Sequence, residues 1–127
     1  MKPIVDVLNA PQPVGPYSLA VTAGGFLFTS GQIALVPETG AMIGPDITAQ
    51  TEQVLRNLAA VLAAGGCSFA DVVKSTIFLT DLGDFGVVNE LYSRALGDAR
   101  PARSTIQVAA LPKGACVEIE MIAVLRG

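Results

Sequence analysis

The chain has 127 residues, which is room for one domain with a real core but not for two ordinary domains and a linker, so we expect residues 1–127 to form a single domain. The formal net charge is −3, and the eight Lys and Arg residues are scattered without forming a basic cluster, which argues against a protein whose main function is to bind nucleic acid. The chain contains no histidine, which excludes a Ser-His-Asp triad, a Cys-His pair and every His-ligated metal site within this chain and its identical copies.

The N-terminal third of the chain is apolar and uncharged from Val7 to Pro37. Its prolines and glycines leave no run of roughly 20 apolar residues that could span a membrane, so we interpret it as strands that face the core or another subunit. Hydrophobic residues make up 51% of the chain and charged residues 15%, which also predicts a surface partly covered by another copy. No secretory signal is visible, and we expect a cytoplasmic protein with two reduced cysteines, Cys67 and Cys116.

The first half of the chain predicts two strands and a helix. Residues 18–23 and 26–30 flank a Gly-Gly pair that suits a β-hairpin turn. Apolar residues then recur at three to four residue spacing, which predicts a helix over residues 46–64. Asp46 or Thr48 can cap its start, and another Gly-Gly pair can end it.

The second half predicts a strand, a helix and two more strands. Residues 72–80 are rich in β-branched residues, and a helix with an apolar face follows Asp84 and stops at Gly97. The last two strands span about 104–109 and 115–125. The predicted order is therefore ββαβαββ, an α+β pattern.

The last predicted strand places two carboxylates on one face. Side chains alternate along a strand, so Glu118 and Glu120 point the same way while Val117 and Ile119 point the other way. The Cα atoms of the two glutamates should lie roughly 6.6 to 6.8 Å apart. We expect Arg103, at the start of the neighbouring strand, to approach them.

Two interpretations of these charges remain open from the pattern alone. One is a solvated Glu-x-Glu face with a surface ion pair, worth about 0 to 1 kcal/mol. The other is a binding or catalytic site, in which a carboxylate, Tyr, Lys or Cys must supply any general base because histidine is absent. Other residues also have purely structural interpretations. Tyr17 can be a core or corner residue, Asn89 a solvated amide on a helix, and Ser30-Gly31 the end of a strand.

Short segments along the whole chain form a combination that is specific, although each segment alone is weak. They are Asn9-Ala10-Pro11, Gly15-Pro16-Tyr17, Thr29-Ser30-Gly31-Gln32, Asp81-Leu82, Asp84-Phe85, Val88-Asn89, Pro101-Ala102-Arg103-Ser104, Leu111-Pro112 and Glu118-Ile119-Glu120. With these segments the chain closely resembles the RidA/YjgF family of reactive-intermediate deaminases.

This resemblance implies a chorismate-mutase-like α+β fold with a mixed sheet packed against two helices. It also implies a homotrimer with a pocket at each of three subunit interfaces, which agrees with the apolar composition. The family's activity is the hydrolysis of enamines and imines, such as 2-aminoacrylate and 2-iminopropionate, to 2-oxo acids and ammonia. No cofactor, nucleic acid or membrane is implied.

The resemblance also assigns roles to single residues. Arg103 would bind the substrate carboxylate and Glu118 would position or activate water, with Glu120 in a supporting role. Thr105 stands where the closest deaminases often carry a cysteine; a contribution from its backbone carbonyl would make Thr sufficient, whereas a role for the thiol would change rate or substrate range. The remaining residues expected to line the pocket are Tyr17, Ser30, Gly31 and Asn89.

Two other functions are kept as alternatives. A small-ligand sensor or regulatory protein would use the same pocket without turnover, and Glu118 would then have no proton to transfer. A ribonuclease or translation inhibitor, a label attached to some family members, fits poorly with the acidic balance and the absent histidine.

Overall fold

A computed structural model describes residues 1–126 of the chain, and Gly127, the last residue of the predicted domain, lies outside the described residues. Within residues 1–126 there are six strands and two α-helices. In chain order they are β1 (Lys2–Ile4), β2 (Ala20–Ala23), β3 (Phe26–Thr29), α1 (Ile47–Ala64), β4 (Val72–Leu79), α2 (Phe85–Leu96), β5 (Ala102–Gln107) and β6 (Val117–Val124). Short 3₁₀ turns cover Phe69–Asp71, Leu82–Asp84 and Pro112–Gly114.

The strands form one sheet in the order β1-β2-β3-β6-β4-β5. Only the pairing of β4 with β5 is parallel, so the sheet is mixed. Helix α1 packs on β3 and β6 and against α2, which leaves both helices on one face. The predicted α+β class and the mixed sheet packed against two helices are confirmed.

The chain adds one strand in front of the predicted ββαβαββ order. Strand β1 has three residues and pairs antiparallel with β2, placing Lys2 opposite Thr22 and Ile4 opposite Ala20. Its middle residue is Pro3, which lacks the amide hydrogen that a central strand needs. The strand is at the edge of the sheet, where proline is tolerated, and so short a segment carries no periodic signal.

Helix α1 follows directly from its sequence. Its apolar residues at three to four residue spacing are buried, and Val54 and Leu58 are among those with no exposed surface. Of the two candidate caps, Asp46 is the one used: its carboxylate accepts a hydrogen bond of 2.9 Å from the Ala49 amide, worth about 1 kcal/mol. The helix ends at Gly65 as predicted. Neither this helix nor any other within residues 1–126 is long and apolar enough to cross a membrane.

Strand β6 separates the two faces of the sheet. Val117, Ile119 and Met121 are buried toward the helices, whereas Glu118 and Glu120 lie on the opposite face, as the alternation predicts. Burying such apolar side chains contributes about 1.5 to 3 kcal/mol each. This face of β6 therefore anchors the core and fixes which way the two carboxylates point.

The predicted proximity of Arg103 and Glu118 is wrong within one chain, because β4 lies between β5 and β6. Arg103 is in register with Ser75 of β4, and Glu118 with Phe78 of the same strand. The connection from β4 through α2 is a crossover, so β5 returns parallel to β4 at the sheet edge. The next strand, β6, then inserts antiparallel on the other side of β4.

The face of the sheet opposite the helices is apolar and exposed. Four of its aromatic and aliphatic side chains are between 39% and 44% exposed. They are Phe26, Phe28, Ile106 and Val124. We call this surface the open sheet face.

Candidate functional site

Four of the predicted site residues line one cavity of about 320 Å³, which we call the carboxyl pocket. Tyr17 comes from the loop before β2, Ser30 and Gly31 follow β3, and Glu118 is the second residue of β6. A bridge between Gln32 and Ile119 continues the pairing of β3 with β6 beyond the end of β3. Antiparallel pairing therefore brings the Ser30-Gly31 segment against Glu118.

Hydrogen bonds fix the wall of the carboxyl pocket. The Ser30 hydroxyl donates to the Ser18 carbonyl oxygen at 2.6 Å, and the Tyr17 hydroxyl accepts from the Val14 amide at 3.3 Å. A serine hydroxyl has one proton and two lone pairs, so Ser30 keeps acceptor capacity after this bond. Tyr17 is exposed, and one side of the pocket is therefore open to a ligand or to another chain.

Glu118 is a half-buried carboxyl that makes no hydrogen bond or ion pair with any of residues 1–126. Burial, reinforced by repulsion from Glu120, raises the pKa of Glu118 above its ordinary value of 4.5. Burial therefore prevails over any effect of Arg103 within one chain. A raised pKa suits a group that takes up and releases a proton near neutral pH.

Two further predicted residues line a second cavity of about 250 Å³, which we call the arginine pocket. Asn89 enters it from α2 and Arg103 from β5. The central carbon of the Arg103 guanidinium lies 5.5 Å from the Phe85 ring centroid and 5.0 Å from that of Tyr92. Within residues 1–126 the guanidinium makes no hydrogen bond or ion pair, so its donors are available to a ligand.

Thr105 follows Arg103 by two residues on β5 and so shares its side of the sheet. Its hydroxyl oxygen is buried and has no hydrogen-bond partner among residues 1–126. It does not line the arginine pocket. The sequence match placed this residue in the substrate site, and the structure puts it on the same strand face as Arg103.

The predicted site residues thus fall into two groups on opposite faces of the sheet. Arg103 and Asn89 lie on the helix side, whereas Glu118 and its pocket neighbours lie on the other side. Sequence reasoning missed Arg100, which lines the arginine pocket, and placed Phe85 and Tyr92 on the apolar face of the second helix without linking them to Arg103. Positions 85, 89 and 92 share one helix face, and that spacing was the available signal.

The side chains that line the two pockets suit an organic ligand and do not form a metal-binding cluster among residues 1–126. Among residues 1–126, no group of three or more His, Cys, Asp or Glu side chains could hold a metal ion. The two cysteines are separate: Cys67 is buried beside the end of β6, and Cys116 lies before its start. The carboxyl pocket offers one carboxyl group, hydroxyl groups and the amides of Gln12 and Gln32, and the arginine pocket offers two guanidinium groups and the amide of Asn89.

These features define a class of small α+β domain in which a mixed sheet carries two helices on one face, with a half-buried carboxyl and an unpaired arginine in separate pockets. The family model described as Endoribonuclease L-PSP matches residues 7–125 of the chain. The chain belongs to this family, the RidA/YjgF family.

Relatives and solved structures agree with this assignment. A 2-iminobutanoate/2-iminopropanoate deaminase of Mus musculus is 43% identical, covering 98% of this chain and 92% of its own. A putative endoribonuclease of Thermotoga maritima is 52% identical, with all of both chains covered and a TM-score of 0.94. TdcF of E. coli, solved with bound serine, is 41% identical over 98% of this chain and all of its own, with a TM-score of 0.92. The likeness confirms the α+β YjgF fold.

Proposed function

We propose that this protein hydrolyses reactive 2-imino and 2-enamino acids, such as 2-iminopropionate and 2-aminoacrylate, to 2-oxo acids and ammonia without a cofactor. One observation carries the proposal: within residues 1–126, the Arg103 guanidinium has N–H donors without hydrogen-bond partners, and Glu118 is a half-buried carboxyl with a raised pKa. The first suits the carboxylate that all these substrates share, and the second suits proton transfer to and from water. The deaminase activity in the name of the mouse relative supports the same reaction class.

Two chains are needed to complete this site. Arg103 and Glu118 lie on opposite faces of the sheet in one chain, so the arginine pocket of one copy must meet the carboxyl pocket of the next. The open sheet face offers apolar area for that contact, as expected for an interface between copies. A closed ring of three copies would use the same heterologous contact three times and give three equivalent sites.

The reaction in this site follows from the residue types. Arg103 binds the substrate carboxylate with two parallel hydrogen bonds and fixes the imine carbon beside Glu118. Ionised Glu118 accepts a proton from water as the water oxygen bonds to the protonated imine carbon. The resulting carboxylic acid then returns that proton to the nitrogen. As the carbon–nitrogen bond breaks and its electron pair leaves with nitrogen, the regenerated carboxylate takes the hydroxyl proton, so that the 2-oxo acid forms and ammonia leaves; Glu118 then gives this last proton to ammonia or water.

The remaining residues would surround the substrate. Tyr17, Ser30 and Gly31 belong to the same chain as Glu118, whereas Asn89 and Thr105 belong to the chain that supplies Arg103. The backbone carbonyl at position 105 would be enough to hold an imine N–H, so threonine can replace cysteine there. The side chain at 105 would then affect substrate range rather than the reaction itself.

A trapping experiment tests the activity. An amino-acid oxidase generates 2-iminopropionate from alanine in the presence of semicarbazide, and the protein competes with the trap by releasing free pyruvate. We expect diversion to pyruvate by the wild type and its loss in Arg103→Ala. Equal trapping with and without the wild-type protein, across several amino acids, would reject the deaminase.

Mixing two inactive variants tests the shared site. Trimers assembled from Arg103→Ala and Glu118→Gln chains contain some interfaces that combine an intact Arg103 with an intact Glu118. Random 1:1 assembly should restore about a quarter of the wild-type activity, because each interface draws its two chains independently. No recovery in trimers verified by mass spectrometry would mean that the two residues do not share a site across an interface.

A ligand sensor of the same fold is the second candidate, favoured by the structure of TdcF with bound serine. In a sensor, Glu118→Gln should leave ligand affinity intact and there would be no turnover to lose. The description of the family model as an endoribonuclease raises a third candidate. Retention on RNA at physiological salt would support it, against the net charge of −3.

A further inference from the structure

The guanidinium of Arg103 lies between two aromatic rings of one helix. The rings of Phe85 and Tyr92 lie 5.5 and 5.0 Å from its central carbon, both within the roughly 6 Å range of a cation–π contact. They are seven residues apart on α2, two turns along the same face. Helix geometry therefore sets the spacing of the two rings.

Tyr92 is held at both ends. Its side chain is buried, only 7% exposed, and its hydroxyl shares a 2.7 Å hydrogen bond with the Ser75 hydroxyl, which is fully buried. Ser75 lies on the central strand β4, in register with Arg103 itself. Helix α2 and strand β4 thus fix the ring from opposite directions. Burial also raises the pKa of the Tyr92 phenol, so the group keeps its proton at neutral pH.

Phe85 covers the guanidinium on the outer side. It is 42% exposed, which is unusual for a phenylalanine and leaves its ring to pack on the arginine rather than in the core. Its apolar surface keeps water from one side of the cation without offering a hydrogen-bond acceptor. The two rings therefore contact the guanidinium without using any of its N–H groups.

Proteins often hold an arginine by pairing it with a carboxylate, but among residues 1–126 no acidic side chain lines the arginine pocket. A carboxylate would occupy the in-plane N–H groups and would compete with an anionic ligand. Aromatic faces interact with the cation from above and below its plane. The guanidinium can thus be restricted while its five donors stay available.

We propose that Tyr92 and Phe85 are positioning residues that orient Arg103 by cation–π contacts with its guanidinium, and that Ser75 fixes the Tyr92 ring. This inference rests on the proposed function, because Arg103 is there the anchor for the substrate carboxylate. The Phe85 and Tyr92 rings would hold the Arg103 side chain in its binding orientation before the substrate arrives. Restricting the side chain before binding reduces the entropy lost on binding, which raises affinity.

The test compares Tyr92→Leu and Phe85→Leu with Tyr92→Phe, which keeps the ring and loses only the bond to Ser75. Leu91→Ala is the matched control, since Leu91 precedes Tyr92 on the helix but lines the groove beside α1. We expect each leucine variant to raise KM for the imine about tenfold with little change in kcat, because the anchor acts on bound substrate and transition state alike. Tyr92→Phe should raise KM by about twofold, less than the leucine variants do, because the ring remains but loses the bond to Ser75 that fixes it. Leu91→Ala should leave KM unchanged.

A second readout does not depend on turnover. NMR relaxation of the Arg103 Nε–H group in ¹⁵N-labelled protein should show an ordered side chain in the wild type and a mobile one in the leucine variants. If the wild type shows no turnover, the proposed function is rejected, and the relaxation data still test whether the Phe85 and Tyr92 rings order Arg103. Unchanged KM and an unchanged order of the Arg103 side chain in both leucine variants would overturn the positioning role of the rings. If Tyr92→Phe lost as much affinity and order as the leucine variants, the effect would be assigned to the Ser75 bond instead of the ring. Phe85 is exposed, so its variant remains informative if Tyr92→Leu fails to fold.

Discussion

The side chain of Glu118 lies in the space that any side chain at position 31 would occupy. A Cβ built at Gly31 would fall 2.7 Å from Cδ and 2.9 Å from Cγ of Glu118, and closer still to Oε2. The backbone at Gly31 has no positive φ, so the glycine is required by space and not by conformation. The carboxyl group of Glu118 is therefore held against the backbone that follows β3.

Gly31→Ala should displace the Glu118 carboxyl without unfolding the protein. The neighbour that must move is the end of a half-buried side chain, not the backbone, so the cost to stability is limited. A shift of about 1 Å at a catalytic group can lower kcat/KM on the order of a hundredfold. Steady-state kinetics of the variant with 2-iminopropionate measure that loss.

Gly86→Ala is the matched control for adding one methyl group to a glycine. A Cβ at Gly86 meets nothing within 4 Å in the part of the chain that the structure describes, and alanine favours the helix in which this residue lies. Its kinetics should match the wild type. If Gly31→Ala were as active as Gly86→Ala, the close contact with Glu118 would have no part in catalysis.

Glu118→Gln should make the protein more stable at neutral pH. The folded pKa of Glu118 is raised from its ordinary value of 4.5, so the native state holds its proton more tightly than the unfolded state does. The free energy of unfolding therefore falls as pH rises from about 4.5 through the folded pKa, and then stays level. Glutamine is neutral throughout and escapes that loss.

Thermal unfolding of wild type and Glu118→Gln across pH measures the effect. The midpoint of the variant should exceed that of the wild type at pH 7, and the two should converge near pH 4. Glu38→Gln, at an exposed turn, controls for the removal of one negative charge. A variant less stable than wild type at pH 7 would show that a cation compensates Glu118 in the assembled protein.

Glu120→Gln should move the acid limb of the pH profile for kcat/KM to lower pH. Burial is the larger cause of the raised pKa of Glu118 and repulsion from Glu120 the smaller one. Removing the second charge lowers the pKa of Glu118 but leaves it above the ordinary value. Glu118 is then ionised, and able to accept a proton from water, in more acidic solution. An acid limb that stays in place or moves to higher pH would contradict the assignment of Glu118 as the base.

Local features of this fold could be predicted from the sequence. The three to four residue spacing in α1, the Asp46 cap and the alternation along β6 depend on neighbours within a few residues. The same alternation correctly placed Glu118 and Glu120 on one face. These predictions held because backbone geometry alone determines them.

The order of the strands could not be read in the same way. Residues 107 and 117 end β5 and begin β6, and so short a separation favours neighbouring strands. The crossover through α2 instead makes β5 parallel to β4, and β6 fills the remaining edge of β4. Which edge β6 takes depends on packing across the whole sheet, so the separation of Arg103 from Glu118 had no local signal. The contact between the Tyr92 ring and Arg103 depends on the same register.

Arg103→Lys should abolish most activity while the protein keeps its fold and assembly. Lysine keeps the charge, but it offers a point charge on a flexible stem, without the planar fork that binds a carboxylate through two hydrogen bonds. The lysine ammonium also lacks the planar surface with which the guanidinium contacts the Phe85 and Tyr92 rings. We expect kcat/KM to fall by about tenfold or more, with an unchanged elution volume in size-exclusion chromatography. Lys2→Arg, on the exposed edge strand β1 and outside both site pockets, is the matched control in the opposite direction. Activity of Arg103→Lys near that of the wild type would show that charge alone anchors the substrate and that the fork is not used.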